Sequence, residues 1–180
     1  MQRRQFIAQQ SATLVGVAAL ASPAFAQAAG DKVHNLSDAL RWLDALQLSN
    51  SAQTTAGWPL GAVLEHLAQS IEMSLRGFPE PKSALFQATA GAAAFQFFKW
   101  RGKMSHGLAE PIPGAPALNP QASVAAGALR LRTAIGAFNG HTGALMPHFA
   151  YGNLSRSDYA LAHSLHIANH QDEIVLSKLA

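Results

Sequence analysis

The segment SRSDYALAHSLHIANHQDEIVLSK, residues 155–178, has the strongest helical signature in the chain. Ser155 followed three residues later by Asp158 is a capping box, an arrangement with which many helices begin. After it, apolar residues and histidines recur every three or four positions, which is the spacing of one face of an α-helix. We therefore predict a last helix that begins at the capping box and reaches about Lys178.

Three histidines share one face of this predicted helix. With 100° of rotation per residue, His163, His166 and His170 fall within an arc of about 60°. His166 and His170 are one turn apart, so both imidazoles can reach one ion. His163 lies one turn before His166, and three roles are possible for it: a metal ligand, a residue that supports a ligand from behind, or part of a pocket wall. Tyr159, Ile167 and Ile174 border the same face, which indicates that it points inward.

A second helix is predicted from Trp58-Pro59 to about Arg76, with proline in its first turn and Gly77 as its stop. Its polar residues share one narrow face that we expect to be solvated: Glu65, Gln69, Glu72 and Arg76. Glu72 and Arg76 are spaced to form an i, i+4 ion pair on that surface.

His66 lies away from this polar face, on the side of the helix that we expect to be buried. One inward histidine from this helix and two from the last helix can together make a three-nitrogen site inside a helical bundle. Three protein ligands leave coordination positions open, which is typical of catalytic rather than structural metal sites. A histidine that is simply hydrogen-bonded in a polar core is the alternative, and the residues alone leave both open.

The rest of the chain predicts further helices separated by loops rich in glycine and proline. They run from about Leu36 to Leu46, capped by Ser37 or Asn35, from Ser83 to Arg101, and from Asn119-Pro120 through a stripe that ends at Phe138. The aromatic residues of the third helix are expected in the core: Phe86, Phe95, Phe97, Phe98 and Trp100. The fold class is therefore all-α, a four-helix bundle with one additional shorter helix.

The composition excludes several classes of protein. The 180 residues correspond to one domain, and 49% hydrophobic with only 13% charged residues is not the composition of a disordered chain. The absence of cysteine excludes disulfides, thiolate metal sites and cysteine nucleophiles. The net charge of +3 includes Arg3 and Arg4 of a leader, so no basic face for nucleic acid is expected.

Residues 1–26 are predicted to be an export signal. Gln2-Arg3-Arg4-Gln5-Phe6-Ile7 resembles the twin-arginine motif, and a short apolar run follows it up to Pro23. Ala24-Phe25-Ala26 fits a cleavage site. We therefore expect a periplasmic or otherwise exported protein that meets the twin-arginine export machinery, with its domain in residues 27–180 and no membrane span in the mature form.

Two motifs carry a resemblance to a known superfamily. Gly57-Trp58-Pro59-Leu60, followed by His66-Leu67-Ala68, resembles the opening of the DinB/YfiT-like metalloenzymes, and His166-Ile167-Ala168-Asn169-His170 resembles their closing HxxxH. Ser70-Ile71-Glu72 ahead of Gly77-Phe78-Pro79, and the segment from Pro147 to Ser155, are more similar to a branch of unknown function. The resemblance covers about residues 33–178.

The resemblance implies a four-helix core with one divalent metal ion, zinc, nickel or manganese, bound by His66, His166 and His170. Imidazole ligands suit zinc or nickel on chemical grounds as well. Better-characterised relatives are thiol-dependent transferases or isomerases, whereas the branch that this chain resembles has no established activity.

These observations predict an exported metal-binding bundle, which would act as a metal-dependent hydrolase or transferase on a small-molecule ligand. The alternative is a non-catalytic periplasmic module that binds metal or a ligand, or that interacts with another protein. The sequence also leaves open whether the protein forms a homodimer. Candidate pocket residues are His163, His148 and Tyr151. We expect Glu173 to be solvated, although it could orient a ligand imidazole, and we expect His34 and His141 to be surface residues. His106 lies in a loop rich in glycine and proline, where it could line a pocket, although a purely superficial position is favoured.

Overall fold

The computed structural model describes residues 31–48, 52–55 and 57–176, and the leader predicted at residues 1–26 lies outside these ranges. The helices are α1 (Leu36–Leu48), α2 (Leu60–Arg76), α3 (Ala84–Phe86), α4 (Ala92–Arg101), α5 (Val124–Gly140) and α6 (Arg156–Gln171). A π-helical turn, Gln87–Gly91, joins α3 to α4 without a break. Two short strands, β1 (Ala52–Thr54) and β2 (Ile174–Leu176), complete the described chain, which is mainly helical as predicted.

Side chains that accept backbone N–H groups set the beginnings of several helices. Ser155 Oγ accepts the N–H of Asp158 at 3.1 Å and donates to its carboxylate at 2.8 Å, which confirms Ser155 as the N-cap. The reciprocal bond of a capping box, from the Ser155 N–H to the Asp158 carboxylate, is absent among the hydrogen bonds of the described residues. Asn35, rather than Ser37, caps α1 by accepting the N–H of Asp38 at 2.9 Å. The prediction that α5 begins at Asn119-Pro120 is wrong, because Ser123 caps it through the N–H of Ala126.

The last helix is shorter than predicted. It ends at Gln171 instead of about Lys178, and Ile174–Leu176 pairs as an antiparallel strand with Ala52–Thr54. Strand pairing across more than 100 residues leaves no local mark in the sequence, so the helical spacing of residues 155–178 could not reveal it. The chain reversal after the helix has a direct effect on the candidate site, because it turns Glu173 inward.

The four longer helices pack against one another around one apolar core. The most extensive contact is between α2 and α5. α2 also packs against α6, and α1 packs against both α5 and α6. The α2–α5 contact depends on glycine, since a Cβ built at Gly127 would lie 2.6 Å from the carbonyl oxygen of Gly61. The backbones can approach this closely only without side chains at that point.

Several expected surface and core positions are different in the structure. Glu72 pairs with Arg130 of α5, with contacts of 2.9 and 3.1 Å, rather than with Arg76, so this carboxylate joins two helices. Gln69 is buried, and its amide donates to the carbonyl of Pro116 at 2.8 Å. Both corrections arise from loop and helix partners that are distant in sequence.

The aromatic helix is only partly in the core. Phe95 is buried, whereas Trp100 is 82% exposed and Phe86 and Phe97 are also exposed, contrary to the prediction. The α3–α4 segment lies outside the set of four packed helices, so one face of it remains on the surface. None of the described helices has the length and apolar composition needed to cross a membrane.

Candidate metal centre

Two helices bring three histidines together on opposite sides of a small space. α2 carries His66 on its buried side, and α6 carries His166 and His170 one turn apart. His66 and His170 are buried, and His166 is partly exposed toward a cavity described below. The residues that the sequence singled out are therefore adjacent, although 100 positions separate His66 from His166.

The ring nitrogens converge. One nitrogen from each of the three histidines lies within 4.8 Å of the other two. The Nε2 atoms of His66 and His166 are 3.2 Å apart, and the three ring centroids are 5.0 to 5.1 Å from one another. Nitrogen ligands of a tetrahedral zinc ion lie about 3.3 Å apart, so one pair already has that spacing and the third needs to close in.

The hydrogen bonds of the cluster leave nitrogen lone pairs unused. His170 Nδ1 donates to Glu173 Oε1 at 2.5 Å, which leaves the lone pair of the neutral ring on Nε2. This Nε2 atom is buried and has no hydrogen-bond partner in the described part of the chain. Nδ1 of His66 also lacks a partner there, but it is a different ring nitrogen from the Nε2 atom that faces His166. Buried polar atoms rarely lack a partner, so the cluster fits a group that would occupy the space between the rings. These three histidines could hold a metal ion.

Burial keeps these imidazoles neutral. Desolvation, with a smaller contribution from the nearby His106, lowers the pKa of His66 from 6.5 to about 4. Desolvation likewise lowers the pKa of His170 to about 3, with smaller effects of His66 and His106. The pKa of His166 is lowered well below its usual value by the same causes, desolvation first. A neutral ring is the form of histidine that binds a metal ion.

Glu173 is a buried partner of the cluster, contrary to the expectation that it is solvated. Only 2% of it is exposed, and desolvation raises its pKa to about 7. Its carbonyl oxygen accepts the backbone N–H of Thr55 at 2.8 Å, so the segment after β1 holds it in place. A carboxylate behind a histidine fixes the orientation and tautomer of that ring, which is common behind metal ligands.

A cavity of about 270 Å³ opens beside the cluster, and the three predicted pocket residues His163, His148 and Tyr151 line it together with His66 and His166. His148 Nδ1 accepts the backbone N–H groups of Ala150 and Tyr151 at 3.1 and 3.2 Å, so its proton is on Nε2. The rings of His148 and Tyr151 stack at 4.2 Å.

His163 belongs to the cavity wall rather than to the cluster. Its Nε2 lies 3.2 Å from Ser74 Oγ, and its ring stacks on that of Tyr159. Burial lowers the pKa of His163 to about 3 and that of His148 also to about 3, and burial raises the pKa of Tyr151 to about 12. At neutral pH the wall therefore presents neutral rings and a protonated phenol.

His106 takes the less favoured of the two positions that the sequence analysis left open. Instead of decorating a loop, it lines the cavity, and its ring centroid is 4.8 Å from that of His166 and 5.2 Å from that of His170. A glycine- and proline-rich loop has no periodicity from which an inward direction could be read. His34 is exposed as predicted, and His141 is partly exposed, with its Nε2 3.2 Å from the carbonyl of Ala144.

The fold and the site together define a mainly helical protein with a buried three-histidine cluster beside a cavity. The chain belongs to the family described as "Protein of unknown function (DUF1569)", which matches residues 27–177. No curated protein and no solved structure matches the chain. The family assignment confirms a domain of unknown function, and it supplies no activity.

Proposed function

We propose that this protein binds one divalent metal ion through His66, His166 and His170 and acts as a metal-dependent hydrolase or transferase on a small molecule held in the adjacent cavity. The observation that carries the proposal is the convergence of three ring nitrogens within 4.8 Å, together with a buried Nε2 atom of His170 that has no hydrogen-bond partner among the described residues. A bound metal ion would supply a Lewis acid that polarises a substrate or activates water.

The donor set favours zinc or nickel, since imidazoles suit both ions, and manganese is the third candidate that the family resemblance implies. Helices α2 and α6 would hold the ligands, and Glu173 would orient His170 through its 2.5 Å hydrogen bond. On the cavity wall, His148 can donate a hydrogen bond from Nε2, and the protonated hydroxyl of Tyr151 can do the same. Both would position an acceptor group of the ligand.

Metal analysis of protein purified without a histidine tag tests this proposal. Each of His66→Ala, His166→Ala and His170→Ala should remove most of the bound metal rather than one third of it, because the three ligands act as one site. Wild type should also lose stability in chelator, by about 2.7 kcal/mol relative to a free metal concentration 100 times the dissociation constant.

The matched controls are histidines outside the cluster. His34→Ala and His141→Ala should keep a full equivalent of metal, and so should His163→Ala, which changes the cavity wall but not the converging nitrogens. If His66→Ala kept its metal while His163→Ala lost it, the site would be built on α6 alone and the assignment of His66 would be wrong.

A second candidate is a polar core without metal, and the 3.2 Å separation of His66 Nε2 and His166 Nε2 favours it, because it also suits a hydrogen bond between two neutral rings. Wild-type protein that binds no divalent ion would establish this alternative. A non-catalytic module for metal or ligand binding lies between the two. It would bind metal but would lack the exchangeable water that an open coordination position holds.

We also propose that the fold is that of a DinB/YfiT-like four-helix bundle. The mutual packing of α1, α2, α5 and α6, with the histidines on α2 and α6, supports this assignment. An experimental structure compared with that superfamily would test it, and a different order of the four helices around the core would contradict it.

Export by the twin-arginine pathway is proposed on the leader alone, whose Arg3-Arg4 pair and Ala24-Phe25-Ala26 site support it. Replacing both arginines by lysine should leave the precursor in the cytoplasm, which cell fractionation would detect. Normal export of that variant would contradict the route.

A further inference from the structure

A fourth imidazole lies against the three-histidine cluster. His106 belongs to the segment between α4 and α5, and its ring centroid lies 4.8 Å from that of His166 and 5.2 Å from that of His170. These distances match the 5.0 to 5.1 Å that separate the rings of the cluster itself. His106 therefore stands as close to two of the cluster rings as those rings stand to each other.

The hydrogen bond of His106 determines which of its nitrogens is available. Nδ1 is 2.9 Å from the carbonyl oxygen of Gly107, and a carbonyl only accepts, so Nδ1 carries the proton. In the neutral ring the lone pair is then on Nε2. This Nε2 atom is buried and has no hydrogen-bond partner in the described part of the chain, although the side chain as a whole is partly exposed. Leaving such an acceptor unpaired costs free energy, which a Lewis-acidic partner would recover.

We propose that His106 is a fourth imidazole donor of the metal centre, delivered by the loop rather than by a helix. This inference rests on the proposed function, because it needs a metal ion at His66, His166 and His170. The nitrogen of His106 is not among the three that lie within 4.8 Å of one another, so its side chain has to turn toward the ion. Its hydrogen bond to Gly107 is local and does not fix it to either helix.

A loop donor has a consequence for the substrate. The same ring lines the cavity, so a His106 nitrogen bound to the ion would occupy the position that faces the ligand space. A substrate donor or an added small ligand would then compete with His106, whereas the two helices would keep the other three ligands in place. Competition of this kind distinguishes a ligand from a residue that only shapes the wall.

Cobalt(II) provides the test, because its visible absorption reports the number and kind of its ligands. In Co²⁺-loaded His106→Ala we expect a changed d–d spectrum and binding weaker by at least about 10-fold, since even the partners behind metal ligands contribute 10–100-fold. Added imidazole should restore the wild-type spectrum by filling the vacated position. His141→Ala, which removes another loop histidine, is the matched control and should change neither quantity.

The number of imidazoles in the wild-type protein gives a second measurement that needs no variant. Pulsed electron paramagnetic resonance of the Cu²⁺-loaded wild type should detect four imidazole nitrogens. Three imidazoles there, or identical Co²⁺ spectra of wild type and His106→Ala without an effect of imidazole, would overturn the role of His106 and leave the three-histidine site intact. Failure of folded wild type to bind either ion would overturn the proposed function and this inference together.

Discussion

Helix α2 has two interfaces that are built on opposite principles. Against α5 its fully buried side chains are apolar and the backbones are close, with Leu64 and Leu131 fully buried and glycines at the point of nearest approach. The partly exposed Glu72–Arg130 ion pair adds one polar contact there. Against α6 it buries His66 and His170 together with a carboxylate. Apolar burial stabilises the first interface by itself, whereas buried polar groups with unpaired atoms reduce the stability of the second. The comparison indicates that the α2–α5 interface mainly stabilises the fold, whereas the α2–α6 interface positions the candidate metal ligands.

The largest effect is expected at the apolar interface. Leu131→Ala removes a side chain with 0% exposure from α5, so it should lower the free energy of unfolding by about 2–5 kcal/mol. Chemical denaturation should give the same loss with metal and with chelator, because the hydrogen bonds and ring contacts of the three histidines in the described residues involve no residue of α5. Leu129→Ala, on the same helix but 63% exposed, is the control and should change stability by less than about 0.5 kcal/mol. A loss at Leu131 that depends on metal would break the separation of the two interfaces.

Two glycines of α5 test how closely the helices approach. A Cβ at Gly127 would meet Gly61 O at 2.6 Å and Leu64 Cβ at 2.9 Å, so Gly127→Ala should cost about 1–3 kcal/mol. Gly136 has open space around the same position, and Gly136→Ala should stabilise the helix by about 0.5–1 kcal/mol. Thermal unfolding of the two variants measures the difference. Equal effects would contradict the close contact of α2 with α5.

The free energy of unfolding should depend on pH because histidines are buried near the cavity. Burial lowers the pKa of His148 from 6.5 to about 3, so the folded protein leaves this ring neutral while the unfolded chain protonates it below pH 6.5. Stability is therefore lost as the pH falls, by about 2 kcal/mol for this residue between pH 8 and pH 5. His148→Asn keeps an acceptor for the N–H groups of Ala150 and Tyr151 but cannot titrate.

Denaturation in chelator at both pH values would measure that contribution. The variant should lose about 2 kcal/mol less than wild type over this interval, whatever its stability at pH 8. The other buried histidines titrate in both proteins, so the difference between the two slopes belongs to His148. Parallel slopes would mean that His148 is accessible to protons in the folded state.

Local patterns predicted much of the helical framework. The cap at Ser155 and the stop at Gly77 depend on neighbours within four residues, and both are present in the structure. The inward direction of His66, His166 and His170 followed from helical spacing alone. The caps are complete within about one turn of helix and the histidine faces within a few turns of the same helix, so a single sequence was sufficient to find them.

Apart from the start of α5, which the local cap at Ser123 determines, the missing parts depend on contacts distant in sequence. The end of α6 at Gln171 is determined by the pairing of β2 with β1, and that turn buries Glu173 against His170. His106 lies beside the cluster although it belongs to a loop. Glu72 pairs with Arg130 of another helix instead of Arg76. No periodicity within a segment carries such information, because each partner comes from another part of the chain.

The smallest effect distinguishes a positioning carboxylate from one that only supports the fold. Glu173→Gln keeps an oxygen for His170 Nδ1 but removes the charge, so metal binding should weaken by about 10-fold, the lower end of the range for such partners. Without metal its stability at pH 8 should not fall, because the variant no longer buries a carboxylate. Glu72→Gln is the matched control on α2, where the carboxylate pairs with Arg130 and should leave metal affinity unchanged. Isothermal titration with zinc measures both variants. Equal zinc affinities of Glu173→Gln and wild type would show that packing alone holds His170. In that case the α2–α6 interface would depend on packing, as the α2–α5 interface does, and not on its buried hydrogen bond.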